Sequence, residues 1–131
     1  MPQEAIELIL LRQCASHLAM PIWLMGPDGS LLYYNEPAEP ILGLRFDEAG
    51  EMPGEALSRM FEARDDDGSP IAADDLPINI ALSRQRPAHR PFQIRGLDGV
   101  WRKIEVTAFP IEGQGGRHLG AMAIFWEVEE A

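Results

Sequence analysis

The side chains of this 131-residue chain with most chemistry to offer are three histidines, one cysteine, two adjacent tyrosines and two arginines flanking a phenylalanine. His17, His89 and His118 are far apart, and no two share the spacing of metal ligands, so each reads as a solvated or internally satisfied side chain. Cys14 is alone, which removes an internal disulfide and a cysteine-based zinc site. The run Asp65-Asp66-Asp67-Gly68-Ser69-Pro70 lacks the alternating acids and distal glutamate of a calcium loop and reads as an acidic turn. Gly113-Gln114-Gly115-Gly116 lacks the strand–glycine–helix setting that cradles phosphate. No Ser-His-Asp order and no paired catalytic carboxylates emerge. The expectation is no metal, no catalytic set and no enzyme.

Tyr33 and Tyr34 fall on opposite faces of one strand. One phenol can hydrogen-bond a ligand in a cavity or fill the core with its hydroxyl satisfied, and the second reading is favoured. Trp23, Trp101 and Trp126 sit on separate strands and read as core or interface packing. Arg90 and Arg95 flank Phe92 and could clamp a carboxylate, but ion pairs with Asp74, Asp75 or the acidic segment account for them better.

The elements that hold these residues come from composition and pattern. Hydrophobic residues at 46% and charged residues at 24% describe one globular domain. The formal net charge of −10 makes nucleic acid and anionic membrane poor partners. No run of about 18 apolar residues offers a membrane span, and no basic leader marks a signal peptide. With one cysteine, the expected location is cytoplasmic. Charge is uneven: residues 47–75 hold ten acids against two arginines, and residues 84–103 hold six bases against one acid. Two solvated faces are the plain reading; a dipolar surface that orients a partner is the sharper one.

Residues 3–18 predict a helix apolar around much of its girth. Leu8, Leu11, Ala15 and Leu18 form one stripe, and Ile6, Ile9, Leu10 and Cys14 form another, so both sides need cover. Ile22-Trp23-Leu24-Met25 and Leu31-Leu32-Tyr33-Tyr34 predict a hairpin across Pro27-Asp28-Gly29-Ser30. Asn35 reads as the N-cap of a short helix over 36–42 that Gly43 ends. Residues 55–61 suggest a helical turn or two, and residues 75–85 a longer helix started by Asp74-Asp75-Leu76-Pro77. Three strands close the chain: one through Phe92 and Ile94, one over 101–109 after the Leu97-Asp98-Gly99 turn, and one over 119–128 that is apolar on both faces and therefore central. This is an α+β domain on one antiparallel sheet.

That order resembles the PAS domain. The signature is Pro27-Asp28-Gly29-Ser30-Leu31-Leu32-Tyr33-Tyr34-Asn35-Glu36-Pro37-Ala38-Glu39-Pro40-Ile41-Leu42-Gly43, with Leu97-Asp98-Gly99 and Thr107-Ala108-Phe109-Pro110 leading into residues 120–126. The resemblance spans residues 20–128. It implies a five-stranded antiparallel sheet, short helices on one face, a cavity between them, and a cap helix in residues 1–20 ahead of a core in 21–131. Flavin-binding photosensory relatives need a cysteine on the helix after Leu42-Gly43, and residues 51–61 have none. Haem-binding relatives place a histidine on the long helix, and residues 75–85 have none. Covalent flavin chemistry and histidine-ligated haem are therefore not expected. Many PAS domains end in Asp-Ile-Thr; here Glu127-Val128-Glu129 stands instead. With the chain stopping at Ala131, both a stand-alone module and a piece of a longer sensor fit.

The resulting expectation is a sensory or interaction module in signal transduction. It would homodimerise through Ile6, Ile9, Leu10 and Cys14, with a signalling protein as a further partner. A small organic ligand would contact Tyr34, Ile78, Leu82, Phe92, Ile94, Ile104 and Val106. The alternative is a cone-shaped α+β enzyme of the steroid-isomerase type, which needs an isolated acid and a tyrosine converging in an apolar pocket.

Overall fold

The doubly apolar N-terminal stretch does form a helix. In a computed structural model that describes residues 6–128, it runs Ile6–Ser16 (α1). Residues 3–5 of the expected helix, and Glu129, lie outside the described residues. Leu8 and Ala15 are buried and Leu11 half-buried against Ile22, Leu24, Ile111, Leu119 and Met122. Leu18 does not join that stripe. The helix ends at Ser16, so Leu18 leaves the helical register and stays exposed.

The strands are β1 (Ile22–Met25), β2 (Leu31–Tyr34), β3 (Glu62–Arg64), β4 (Ala88–Arg95), β5 (Trp101–Glu112) and β6 (His118–Glu127). They form one antiparallel sheet in the order β2-β1-β6-β5-β4-β3. The sheet therefore has six strands, not the expected five. The sixth, β3, has no apolar alternation to announce it. It exists because Glu62, Ala63 and Arg64 pair with Arg95, Ile94 and Gln93 on the edge of β4, and a Glu62–Arg95 ion pair of 3.2 Å reinforces it. β5 runs past Pro110, which any central strand should refuse. It is tolerated because β4 pairs only as far as Ala108, leaving one side of Pro110 without a ladder.

Between β2 and β4 lie α2 (Glu39–Leu42), α3 (Phe46–Ala49), α4 (Gly54–Met60) and α5 (Pro77–Arg84), with 3-10 turns at Glu36–Ala38 and Ala73–Asp75. Two apolar layers result. The main core lies between the sheet and these helices, with Met25, Leu31, Tyr34, Leu57, Ala81, Phe92, Val106 and Phe125 among its members. The second lies under α1 on the opposite face. β6, apolar on both faces, is flanked by β1 and β5 and contributes to both layers. No helix among the described residues is long and apolar enough to cross a membrane.

Asn35 corrects the sequence reading. Its backbone sits at an N-cap, but its side chain makes no capping bond. It is wholly buried. Its Oδ1 accepts from the Ile22 N–H at 2.9 Å, while its Nδ2 donates to the carbonyls of Ala15 at 3.0 Å and Met20 at 2.8 Å. The residue ties the end of α1 and the start of β1 to the end of β2. Gly43 behaves as expected, closing α2 in the left-handed region at φ 84. The chain there packs so tightly on Asp98 that a β-carbon would overlap it.

Candidate functional site: a cavity between sheet and helices

Strand pairing decides which side chains face the helices. Trp23 lies opposite Ala123, Phe92 opposite Ile104, and Val106 opposite Phe125. Directly opposed residues share a face, so these, with Met25 and Ile94, form a floor of aromatic and aliphatic groups. α5 provides the facing wall. Pro77 opens it at a position where a missing N–H costs nothing, and Asn79 Nδ2 donates to the Ala73 carbonyl at 2.8 Å, fixing the helix to the preceding turn. α4 brings in Leu57, and Phe61 follows it. Gly54, the first residue of α4, approaches the Gly29 carbonyl so closely that a β-carbon there would sit 3.1 Å from it.

These elements leave a cavity of about 440 Å³, within the range of small-molecule sites. Of the residues expected to contact a ligand, Ile78, Phe92, Ile94, Ile104 and Val106 line it. Trp23, Met25, Leu42, Leu57, Phe61, Asn79 and Phe125 also line it and were missed. Gly54, Glu55, Ala73 and Asp74 are the exposed members of the lining and mark the opening. Among the described residues, no lysine, arginine, histidine or cysteine is part of the wall.

Tyr34 and Leu82 lie off this wall. Tyr34 is fully buried and donates its hydroxyl to the Leu44 carbonyl at 2.7 Å. Burial, and then the carboxylates of Glu39, Glu48 and Asp47, push its phenol up to about 12. Its ring stacks on Trp23 with centroids 6.0 Å apart, and Phe61 meets Trp23 edge-on at 5.4 Å. Leu82 is half-buried in the main core, nearest the turn at Gly29. The indole N–H of Trp23 is buried with no hydrogen-bond partner among the described residues.

The remaining reactive groups are dispersed. Cys14 is exposed on α1. His89 contacts Glu105 at 3.3 Å, and Trp126 Nε1 donates to the other oxygen of that carboxylate at 3.2 Å. Arg64 lies over the ring of Trp101 at 3.8 Å. Among the described residues, no group of three or more His, Cys, Asp or Glu is arranged to hold a metal ion. The oppositely charged segments meet each other: Arg90 pairs with Asp65 at 2.9 Å, Arg95 with Glu62 at 3.2 Å and Lys103 with Asp66 at 3.1 Å. Asp74 and Asp75 form none of these ion pairs.

No protein-family model matches the chain, and no curated protein matches its sequence. Solved structures do match. The PAS domain of a Colwellia psychrerythraea protein overlays with a TM-score of 0.63 at 17% identity, over 93% of this chain and 97% of that one. The PAS domain of nitrogen regulation protein NR(II) from Vibrio parahaemolyticus gives 0.63 at 17% identity, over 91% and 98%. A Rhodobacter sphaeroides LOV protein gives 0.70 at 11% identity, over 95% of this chain and 69% of that one. Antiparallel sheet, helical layer and near-complete overlap together assign the chain the PAS fold.

Proposed function

We propose that this domain is a sensory module that holds a small organic ligand in its cavity and signals as a homodimer. The observation that carries the reading is the 440 Å³ apolar cavity between the sheet and α5. A core that had only to be stable would close such a space, because protein interiors pack at crystal-like density. The fold supports the sensory part: among its likenesses are a domain of a nitrogen regulation protein and a light-oxygen-voltage protein.

Dimerisation is supported by the second stripe of α1. Ile6 is 66% and Leu10 56% exposed, and Ile9 and Cys14 are exposed beside them. Such a stripe on a helix already packed on its other side suits a second copy. The same surface, or the opposite face of the sheet beyond α1, would meet a signalling partner protein. An excess of ten negative charges disfavours nucleic acid and anionic membrane. A lone exposed thiol suits a reducing compartment such as the cytoplasm.

The isomerase alternative gains nothing from this geometry. Its tyrosine and acid would have to converge in the pocket, whereas the Tyr34 hydroxyl bonds the Leu44 carbonyl and the pocket carboxylates, Glu55 and Asp74, are exposed at its opening. The direct test is mass spectrometry of small molecules released from freshly purified protein. We expect a compound retained by the parent and lost from Ile78→Trp, which fills the wall. A compound retained equally by both would locate binding elsewhere and overturn the reading.

A further inference from the structure

We propose that the cavity takes an apolar molecule without anionic groups and rejects carboxylate- and phosphate-bearing ones. The inference rests on the cavity being a ligand site and adds the class of ligand. Its deep wall is formed by side chains such as Met25, Leu57, Ile104, Val106 and Phe125, which offer no hydrogen-bond donor, and by Trp23, whose unpartnered indole N–H is neutral and brings no positive charge to an anion. Burying an unpaired anion among them costs more than burying its apolar body returns. The opening makes matters worse for an anion, since its exposed side chains include the carboxylate of Asp74.

One cation on the cavity side of the sheet is already engaged. Arg90 lies opposite Val106 and so on the cavity side of the sheet. Its guanidinium donates to both oxygens of Asp65, at 2.9 and 3.1 Å, and it is not part of the wall. Among the described residues, a carboxylate or phosphate group entering the cavity therefore meets no positive side chain on the wall. An aliphatic or aromatic molecule carrying a hydroxyl, ketone or ester meets no such penalty.

The test compares 1-decanol with decanoate, two probes of one chain length, below their micelle concentrations at pH about 8, where the carboxylate is ionised. Binding is read by tryptophan fluorescence, Trp23 being on the wall. We expect decanol to bind at least about tenfold more tightly than decanoate. Asp74→Arg should then narrow that gap, strengthening decanoate by about tenfold while changing decanol by less than about twofold. Decanoate binding as tightly as decanol to the parent would overturn the inference and leave the ligand-site reading standing. So would a gap indifferent to Asp74→Arg. Failure of both probes to bind, or equal binding of decanol by Ile78→Trp, would instead remove the ligand-site reading on which the inference rests.

Discussion

Two buried polar side chains do work in this molecule that their residue types alone do not announce. Tyr34 is a core aromatic whose hydroxyl satisfies the Leu44 carbonyl. Tyr34→Phe should cost about 1–2 kcal/mol in a urea melt, the loss of one buried hydrogen bond. Its phenol is raised above an unfolded value of about 10, up to about 12. The folded chain therefore keeps a proton that the unfolded chain releases. The stability this adds is complete below pH about 10 and is lost as pH rises towards about 12; Tyr34→Phe should lack that share of the alkaline decline. Asp98 behaves oppositely. Hydrogen bonds from Arg102 and from the Val100 N–H hold its carboxyl down to about 2. Its contribution is present above pH about 4 and fades as pH falls through about 2, so Asp98→Asn should flatten that part of the acid limb. Asn35 is the more demanding position. Asn35→Ala leaves the Ile22 N–H and the Met20 carbonyl without the partner Asn35 gave them and removes one of the two hydrogen bonds to the Ala15 carbonyl, which keeps the Leu18 N–H, and should cost about 2–4 kcal/mol. Asn35→Asp should be no better, because it sets a carboxylate oxygen against two carbonyls; a melt within about 0.5 kcal/mol of the parent would contradict this.

Among the elements, those with a strong local signal were legible and those made by their neighbours were not. The 3.6-residue stripes of α1, the Pro27–Ser30 turn with its flanking apolar runs, and Gly43 as a helix stop all act within a few residues, so sequence carries them. β3 is three residues of Glu-Ala-Arg and becomes a strand only because the edge of β4 is there to pair with it. Asn35 looked like a cap because that role is local; its actual partners lie 13 to 20 residues away. The cavity divides in the same way. Ile104 and Val106 alternate on a long strand, and Ile78 stands on the apolar face of α5, so once the resemblance implied a cavity between sheet and helices, period placed five residues on its wall. Trp23 and Phe61 belong to the wall because of pairing with β6 and the approach of α4, neither of which a four-residue strand encodes. One glycine records such an approach. Gly120 adopts φ 137, and a β-carbon on it would strike the Met25 carbonyl across the β1–β6 seam. Gly120→Ala should destabilise by more than about 3 kcal/mol, combining backbone strain with that overlap; a near-neutral thermal melt would show that the seam relaxes freely.

As a whole molecule the chain is a sheet with two apolar faces, one closed by a single helix and one left partly hollow. The helix leaves Ile6 and Leu10 in solvent, and the homodimer reading makes that exposure its interface. Sedimentation equilibrium at tens of micromolar should find a dimer, and the double variant Ile6→Glu with Leu10→Glu should be a monomer that still melts cooperatively, its midpoint independent of protein concentration where the parent's rises with it. A monomeric parent would end that reading. The acidic and basic segments, which in sequence suggested separate surfaces, meet in ion pairs between the β3 region and β4 or β5. Such half-exposed pairs contribute only about 0–1 kcal/mol each, so Arg95→Glu should weaken the β3 edge slightly without altering assembly. The hollow face carries the central claim, that the space between the sheet and α5 is an accessible apolar site. Xenon, which enters dry apolar cavities without any polar recognition, tests this most directly when followed by methyl NMR of the isoleucines. The account predicts that the methyl signals of Ile78, Ile94 and Ile104 shift with xenon pressure while those of Ile22 and Ile124, under α1 on the opposite face, stay fixed. Shifts confined to Ile22 and Ile124, or none at Ile78 and Ile104, would contradict it.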